Sequence, residues 1–120
     1  MKKILVADDH LEILEAVTEV LSYASFEVKS ISHGAELIST VKEFKPDLIL
    51  LDLKLGEHDG SQLCRQVKGM TGFKHTPVII YSAYVPDSPT PSEYGCDEMI
   101  TKPFDIDELV GKINHLVYHN

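Results

Sequence analysis

The chain lacks an apolar run of the roughly 18 residues that a membrane-spanning helix needs, and no signal-peptide pattern opens it. It also lacks internal repeats, low-complexity tracts and any shift in composition that would mark a linker. The 120 residues are therefore expected to form one domain, residues 1–120, which is large enough to bury a hydrophobic core. We expect no association with membranes.

Cysteine and positive charge are both scarce. The two cysteines, Cys64 and Cys96, belong to no motif, and we predict buried small side chains rather than a disulfide, as in a reducing cytoplasm. Lysine and arginine total 11 against 19 acidic residues, which gives a formal charge of −8. A negative domain repels nucleic acid, so we expect no direct nucleic-acid binding, and the same charge favours a site for cations.

Short apolar runs alternate with longer stretches whose apolar residues recur at helical spacing. Helical stripes begin at Leu11 and Leu37, and capping patterns at Asp59 and Asp105 predict two further helices. This alternation predicts an α/β fold in which helices cover both faces of a doubly wound, five-stranded parallel sheet. The apolar runs that predict the strands are KKILVAD, FEVKSIS, DLILLD, PVIIYS and the weaker CDEMIT.

Polar side chains stand where the predicted strands end. They are Asp8 and Asp9 after the first strand, Asp52 after the third, Ser82 after the fourth and Lys102 after the fifth. The carboxyl ends of parallel strands form the functional crevice of such sheets, so we expect these side chains to converge. Each one alone has an ordinary explanation as a helix cap, a strand end or a solvated charge, but their coincidence at successive strand ends does not.

The residue types at this edge indicate phosphoryl chemistry on a metal. Three clustered carboxylates need a counter-charge, and Mg²⁺ with its oxygen ligands is the natural one. Asp52 can act as a nucleophile, as carboxylates do in enzymes that form an aspartyl phosphate. Phosphoryl transfer needs positive charge and hydrogen-bond donors around the phosphoryl oxygens, and Lys102 and Ser82 are suited to supply them.

The segments ADD, LILLDLKLGEHDG, YSA and ITKPF resemble, in order and spacing, the signature of the receiver domains of two-component response regulators. The resemblance covers nearly the whole chain and implies a flavodoxin-like receiver fold with strand order 2-1-3-4-5. It implies that Asp52 accepts a phosphoryl group from a sensor histidine kinase or phosphotransfer protein, and that Ser82 and Lys102 bind that group. The implied role is a signalling switch with slow self-dephosphorylation, not a metabolic enzyme.

The same resemblance implies a metal site and a backbone feature. Asp9, Asp52 and the backbone carbonyl of Lys54 would ligate Mg²⁺, and Asp8 would hold waters of the ion. The peptide bond before Pro103 is usually cis in the family, a form that proline makes accessible.

The chain departs from the family pattern around its fourth helix. Pro86, Pro89 and Pro91 fall within a stretch that carries no apolar stripe, so the fourth helix is predicted to be short or missing. Met99 replaces the aromatic residue that usually acts as a switch, and it is either a movable substitute or simply a core residue. A partner or homodimer contact, if one exists, is expected on residues 85–94 or on the first helix.

The phosphoryl lifetime is predicted to depend on residues that flank the acceptor site. Lys54 and Tyr84 each follow an active-site position by two residues, where family members vary the access of water. Ala83 belongs to the same modulating set. Two other functions stay open. One is a pseudo-receiver that serves only as a docking module, which the complete set of acceptor residues disfavours. The other is a Mg²⁺-dependent phosphatase, which would carry an aspartate where this chain has Lys54.

Overall fold

The secondary structure follows the predicted alternation of strands and helices. The computed structural model describes residues 1–82, 95–102 and 105–118. Within these residues the main sheet contains β1 Lys3–Ala7, β2 Glu27–Ile31, β3 Leu48–Asp52, β4 Val78–Ser82 and β5 Glu98–Thr101. The helices are α1 Leu11–Tyr23, α2 Leu37–Phe44, α3 Gly60–Lys68 and α4 Ile106–Tyr118, and a short 3-10 turn, Gly34–Glu36, precedes α2.

The sheet is parallel throughout and its strands lie in the order β2-β1-β3-β4-β5. This confirms the predicted 2-1-3-4-5 arrangement. The chain moves outward from β1 to the β2 edge and then crosses to the other side at β3. The crossover places the carboxyl ends of β1 and β3 beside each other, where open α/β sheets form their ligand crevice.

Helices cover both faces of the sheet, and successive side chains of each strand point to opposite faces, so two apolar clusters form. One apolar cluster joins Ile4, Val6, Leu48 and Leu50 to α1 and α4. The other cluster joins the intervening strand residues, such as Leu5, to α2 and α3. Every residue of β3 is buried, which explains why its run LILLD is apolar up to the final aspartate.

The predicted helix caps are confirmed. The Asp59 side chain accepts hydrogen bonds from the backbone N–H and the hydroxyl of Ser61, at 2.8 and 2.7 Å, at the start of α3. The Asp105 carboxylate accepts a bond from the backbone N–H of Asp107 at 2.7 Å at the start of α4. Each cap satisfies N–H groups that have no partner within the helix and contributes about 1 kcal/mol.

Both cysteines are buried, as predicted, and neither forms a disulfide. Burial raises the pKa of the Cys64 thiol to about 12 and that of Cys96 to about 11. The thiolate is the reactive form, so these side chains are inert at neutral pH and act as small core residues.

Several sequence predictions concern residues outside the described ones. They are the loss of the fourth helix and the partner contact within residues 83–94, the modulating roles of Ala83 and Tyr84, and the cis bond before Pro103. Among the described residues, none of the helices has the length and apolar character required to cross a membrane.

Candidate functional site

Asp8 is the most enclosed carboxylate of the strand-end cluster, with no exposed surface. It follows the last residue of β1, on the same side of the sheet as Ile4 and Val6, which pack against α1 and α4. Its Oδ1 accepts a hydrogen bond from the backbone N–H of His10 at 2.9 Å. Its Oδ2 accepts one from the Tyr81 hydroxyl at 2.7 Å and lies 3.3 Å from the Lys102 ammonium. A buried carboxylate stays ionised only with such donors, and both oxygens of Asp8 have them.

Asp52 ends the central strand and is 4% exposed. The backbone N–H of Lys54 donates to its Oδ1 at 3.2 Å, and the Lys102 ammonium lies 3.2 Å from its Oδ2. These two contacts fix the orientation of the carboxylate at the mouth of the crevice. The structure thus brings Asp52 together with Asp8 and Lys102, as the sequence predicted.

Lys102 and Ser82 are joined by a backbone hydrogen bond. The N–H of Lys102 donates to the Ser82 carbonyl at 2.6 Å, which aligns the ends of β4 and β5. The Lys102 side chain is largely enclosed, and its ammonium bridges Asp8 and Asp52. Ser82 therefore lies at the same sheet edge as the charged residues. Ala83 and Tyr84, the predicted modulators that follow it, are not among the described residues.

Asp9 is exposed at the rim and is held by a small hairpin that sequence reasoning did not predict. Lys54–Leu55 pairs antiparallel with His58–Asp59. The turn between them contains Gly56 at φ +62°, a left-handed conformation that glycine adopts without strain. The N–H of Gly56 donates to Asp9 Oδ2 at 3.1 Å. The available signal was Leu55-Gly56 in the loop after Asp52, which indicates a turn but not a paired hairpin.

His10 is a site residue that sequence reasoning missed. Its Nδ1 lies 3.1 Å from Asp8 Oδ1, 3.2 Å from Asp9 Oδ1 and 3.8 Å from Asp52 Oδ2. The imidazole is 64% exposed, so it can leave this position without disturbing the core. Its place directly after the two aspartates was visible in the sequence, but only the turn into α1 aims the ring back at the carboxylates.

The two buried carboxylates differ in their electrostatics. Burial alone would raise the pKa of Asp8, but the hydrogen bonds from Tyr81 and His10 and the charge of Lys102 outweigh it, so its pKa lies below the usual value. For Asp52, burial raises the pKa, and the nearby charge of Asp8 adds to the rise, beyond what the Lys54 N–H and Lys102 offset. Of these two carboxylates, Asp52 is therefore the one whose ionised form its surroundings stabilise less.

The donor set fits a hard divalent cation. One ligand atom from each of Asp8, Asp9, His10 and Asp52 can be chosen so that all lie within 4.8 Å of one another. Three of the four are carboxylates, and oxygen ligands of this charge are those that Mg²⁺ prefers. Ligands about 2.1 Å from one ion lie at most about 4.2 Å apart. The observed spread of up to 4.8 Å is only slightly wider, so small side-chain shifts would bring these atoms into range of one ion.

Met99 lies inside the sheet, in the core cluster beneath α2 and α3, and is 8% exposed. It pairs in register with Ile80 on β4. This position is that of an ordinary core residue. Whether Met99 also moves on activation stays a prediction.

Gly60 connects the site to α3 and cannot accept a side chain. A Cβ added there would overlap the backbone oxygen of Asp52 and lie 2.9 Å from the Cα of Leu53. We expect Gly60→Ala to lower the free energy of unfolding by about 1–3 kcal/mol, because backbone must shift. Gly111→Ala, in open space on α4, is the matched control and should be neutral or stabilising by about 1 kcal/mol. Urea denaturation tests the pair, and equal stabilities would contradict the steric argument.

The doubly wound sheet and the cluster of charged residues at its strand ends together define a receiver-type class of α/β domain. The family model described as the response regulator receiver domain matches residues 4–114. The chain therefore belongs to the response regulator receiver domain family. Members of this family are signalling domains of two-component systems.

Known response regulators resemble the chain along its length. It is 33% identical over 121 residues to the DNA-binding response regulator MtrA of Mycobacterium tuberculosis, which covers 99% of this chain and 52% of MtrA. It is 34% identical over 118 residues to the transcriptional regulatory protein GltR of Pseudomonas aeruginosa, covering 97% and 49%. The chain thus spans about half the length of these relatives.

Solved structures give the same fold. The receiver domain of the Francisella response regulator 1452 superposes with a TM-score of 0.87 at 28% identity, over 98% of this chain and 97% of that one. The chemotaxis protein CheY4 of Vibrio cholerae superposes with a TM-score of 0.91 at 22% identity, over 97% and 98%, and supports the fold alone. The fold predicted from the strand and helix pattern is confirmed.

Proposed function

We propose that this domain accepts a phosphoryl group on Asp52 from a phosphohistidine of a sensor histidine kinase or phosphotransfer protein, in a Mg²⁺-dependent reaction. The observation that carries the proposal is the position of Asp52. Its carboxylate is buried at the end of the central strand, its pKa is raised by that burial, and it shares one ammonium group with Asp8. Such a carboxylate lies at the crevice, and added positive charge there would stabilise its ionised form.

The ion would be held by Asp9, Asp52 and the backbone carbonyl of Lys54, and Asp8 would hold its waters. When bound, Mg²⁺ supplies positive charge close to the oxygens of the transferred group. The hairpin contributes here, because the Gly56 N–H holds Asp9 at the rim and the Lys54 N–H holds Asp52 beside it.

The transfer itself uses the chain's own residues. An oxygen of Asp52 attacks phosphorus, the P–N bond of the donor breaks, and its electron pair returns to the imidazole of the donor. The Lys102 ammonium already lies 3.2 Å from Asp52 Oδ2, so it can follow the charge onto the new phosphoryl oxygens. Ser82, at the adjacent strand end, would donate a neutral hydrogen bond to the same group.

The return reaction is hydrolysis. Water attacks phosphorus, the P–O bond to Asp52 breaks, and inorganic phosphate leaves with the carboxylate restored. Lys54 is exposed beside the site and Tyr84 follows Ser82, so both are proposed to set the access of water. The domain would act as a switch, not as an enzyme with a separate substrate.

The output of the switch is a change of conformation that regulates a partner or an output domain in the cytoplasm. The chain spans about half of MtrA and GltR. The proposal therefore concerns the receiver domain, and the activity of a whole regulator of that kind does not follow from it. Direct contact with nucleic acid is not expected of this domain. Homodimerisation would use residues 85–94 or α1.

The direct test is phosphorylation with radiolabelled acetyl phosphate, with Mg²⁺ and with EDTA. We expect a label that requires Mg²⁺ and that hydroxylamine removes, because an acyl phosphate reacts with this nucleophile. A label that survives hydroxylamine, or none in the presence of Mg²⁺, contradicts the proposal. The second of these results would favour a docking module.

His10 is predicted to compete with the ion. Its Nδ1 stands within hydrogen-bonding distance of Asp8 and Asp9, where a cation would lie, so a bound cation must displace the ring. His10→Ala should therefore raise Mg²⁺ affinity by about fivefold, which corresponds to about 1 kcal/mol for the lost contact. Isothermal titration calorimetry measures this, and His75→Ala, an exposed histidine in the loop that leads into β4 at the opposite end of the sheet, is the control. A fall in affinity would show that His10 is a ligand instead.

A further inference from the structure

Tyr81 lies beneath the acceptor site and contacts two of its charged groups. The residue is fully buried, and its hydroxyl donates to Asp8 Oδ2 at 2.7 Å. The Lys102 ammonium lies 3.3 Å from that same oxygen and 4.6 Å from the centre of the Tyr81 ring. One tyrosine thus contacts the carboxylate and the ammonium that the carboxylate holds.

Core packing alone does not account for the hydroxyl. Along β4 the side chain of Tyr81 shares the face occupied by Ile79, which packs against the same helices without a polar group. A phenyl ring would fill this space, whereas a buried hydroxyl costs free energy unless it has a partner. Here the partner is Asp8, over a bond that is buried at both ends.

The hydroxyl is a donor across the whole physiological pH range. Burial raises the pKa of Tyr81, and the hydrogen bond to Asp8 and the surrounding carboxylate charges raise it further. The proton therefore stays on the phenol. The Tyr81 hydroxyl bonds only to Asp8 among the site carboxylates, whereas Lys102 also contacts Asp52.

Lys102 is divided between two carboxylates. Its ammonium lies 3.3 Å from Asp8 and 3.2 Å from Asp52, so it is shared almost evenly. A phosphoryl group on Asp52 adds negative charge on one side and draws the ammonium toward it. Asp8 has no exposed surface, so an Oδ2 left without any donor would carry the full cost of an unpaired buried charge.

We propose that Tyr81 is a positioning residue that keeps a hydrogen bond on Asp8 Oδ2 and thereby releases Lys102 to the phosphoryl group on Asp52. The inference rests on the proposed function and concerns a residue outside the acceptor set. Without the hydroxyl, Asp8 Oδ2 would have Lys102 as its remaining donor and would hold the ammonium back. Mg²⁺ binding would not suffer, because Asp8 would lose a neutral donor and keep its charge.

The test is Tyr81→Phe, which removes the hydroxyl and keeps the ring. We expect the affinity for beryllofluoride at saturating Mg²⁺ to fall about tenfold, with the affinity for Mg²⁺ alone undiminished. Fluorine NMR and calorimetry measure the two. A variant that is merely loosened would lose both affinities together, and unchanged beryllofluoride binding would overturn the inference. Tyr118→Phe, an exposed tyrosine on α4, is the control.

Two further measurements keep the inference testable. In an Asp8→Asn background Tyr81→Phe should have no effect on beryllofluoride affinity, since it acts through Asp8, and a persisting effect would overturn this route. A crystal structure of the wild-type Mg²⁺–beryllofluoride form needs no variant. It should show the Tyr81 hydroxyl still on Asp8 and the Lys102 ammonium on fluorine, and an ammonium left on Asp8 would overturn the inference. Wild-type protein that binds no beryllofluoride would instead defeat the proposed function.

Discussion

Asp52→Asn is expected to abolish phosphorylation by acetyl phosphate and to leave the fold intact. The amide has the shape of the carboxylate and can still accept the N–H of Lys54, but it is not a nucleophile toward phosphorus. Intact-protein mass spectrometry after incubation with acetyl phosphate and Mg²⁺ should show one added phosphoryl group on the wild type and none on the variant. Asp107→Asn, an exposed carboxylate on α4, is the control and should be labelled like the wild type. Wild-type labelling of Asp52→Asn would place the acceptor elsewhere.

The same variant should be more stable than the wild type at neutral pH when no metal is present. Folding raises the pKa of Asp52, so the folded state favours the protonated form and its stability falls as the pH rises through that pKa. The amide carries no such penalty. The difference in melting temperature should shrink below about pH 4, where the wild-type carboxyl is protonated too. Calorimetric melts across this range with EDTA test the sign, and a less stable variant at pH 7 would contradict it.

Asp9→Ala is expected to weaken Mg²⁺ binding on the order of 100-fold and to slow phosphorylation in parallel. The site has few protein ligands, so the loss of one direct carboxylate should lie at the upper end of the 10- to 100-fold effects typical of residues that only support a ligand. Without metal the variant should be at least as stable as the wild type, because one of three repelling carboxylates has gone. Calorimetric Mg²⁺ titrations and thermal melts measure both effects.

A second substitution separates charge from hairpin geometry. Asp9 also accepts the N–H of Gly56, which joins the hairpin to β1. Asp9→Asn keeps an acceptor oxygen for Gly56 but removes the charge. If Asp9 ligates the ion, both variants lose Mg²⁺ affinity. If only Asp9→Ala loses it, Asp9 supports the hairpin and the ligand assignment is wrong.

Strand and helix order followed from the sequence because the inner strands are apolar enough to be buried on both faces, whereas the edge strand β2 alternates. The run LILLD left little doubt that Asp52 ends a central strand, and β1 gave the same information for Asp8. Once the sheet is parallel, these ends must share an edge. The convergence of Asp8, Asp52 and Lys102 was therefore within reach of the sequence.

Tyr81 was missed although the period-two alternation contained the signal. Along the strands Asp8, Asp52 and Tyr81 share one side of the sheet with the buried residues Val6 and Leu50. The residue type gave no sign of a link to Asp8, since a tyrosine in an apolar strand is usually an ordinary core residue. Only the placement of its hydroxyl beside Asp8 distinguishes the two.

His10 and the hairpin were beyond sequence reasoning for a different reason. Both depend on loop geometry, where side-chain direction is set by individual dihedral angles and not by a repeating pattern. The sequence separation of 47 between Asp9 and Gly56, whose N–H binds it, shows how non-local that geometry is. Turn chemistry predicted a bend at Gly56 but could not specify which carboxylate it would face.

The central claim is that Asp52 is an acceptor whose phosphoryl state needs Mg²⁺. Fluorine NMR of the wild-type protein with beryllofluoride, a mimic of the phosphoryl group, tests it in one titration with Mg²⁺ and one with EDTA. We predict bound fluorine resonances with Mg²⁺, none with EDTA, and none on Asp52→Asn under either condition. Resonances that persist in EDTA or on Asp52→Asn, or their absence from the wild type with saturating Mg²⁺, would contradict the account.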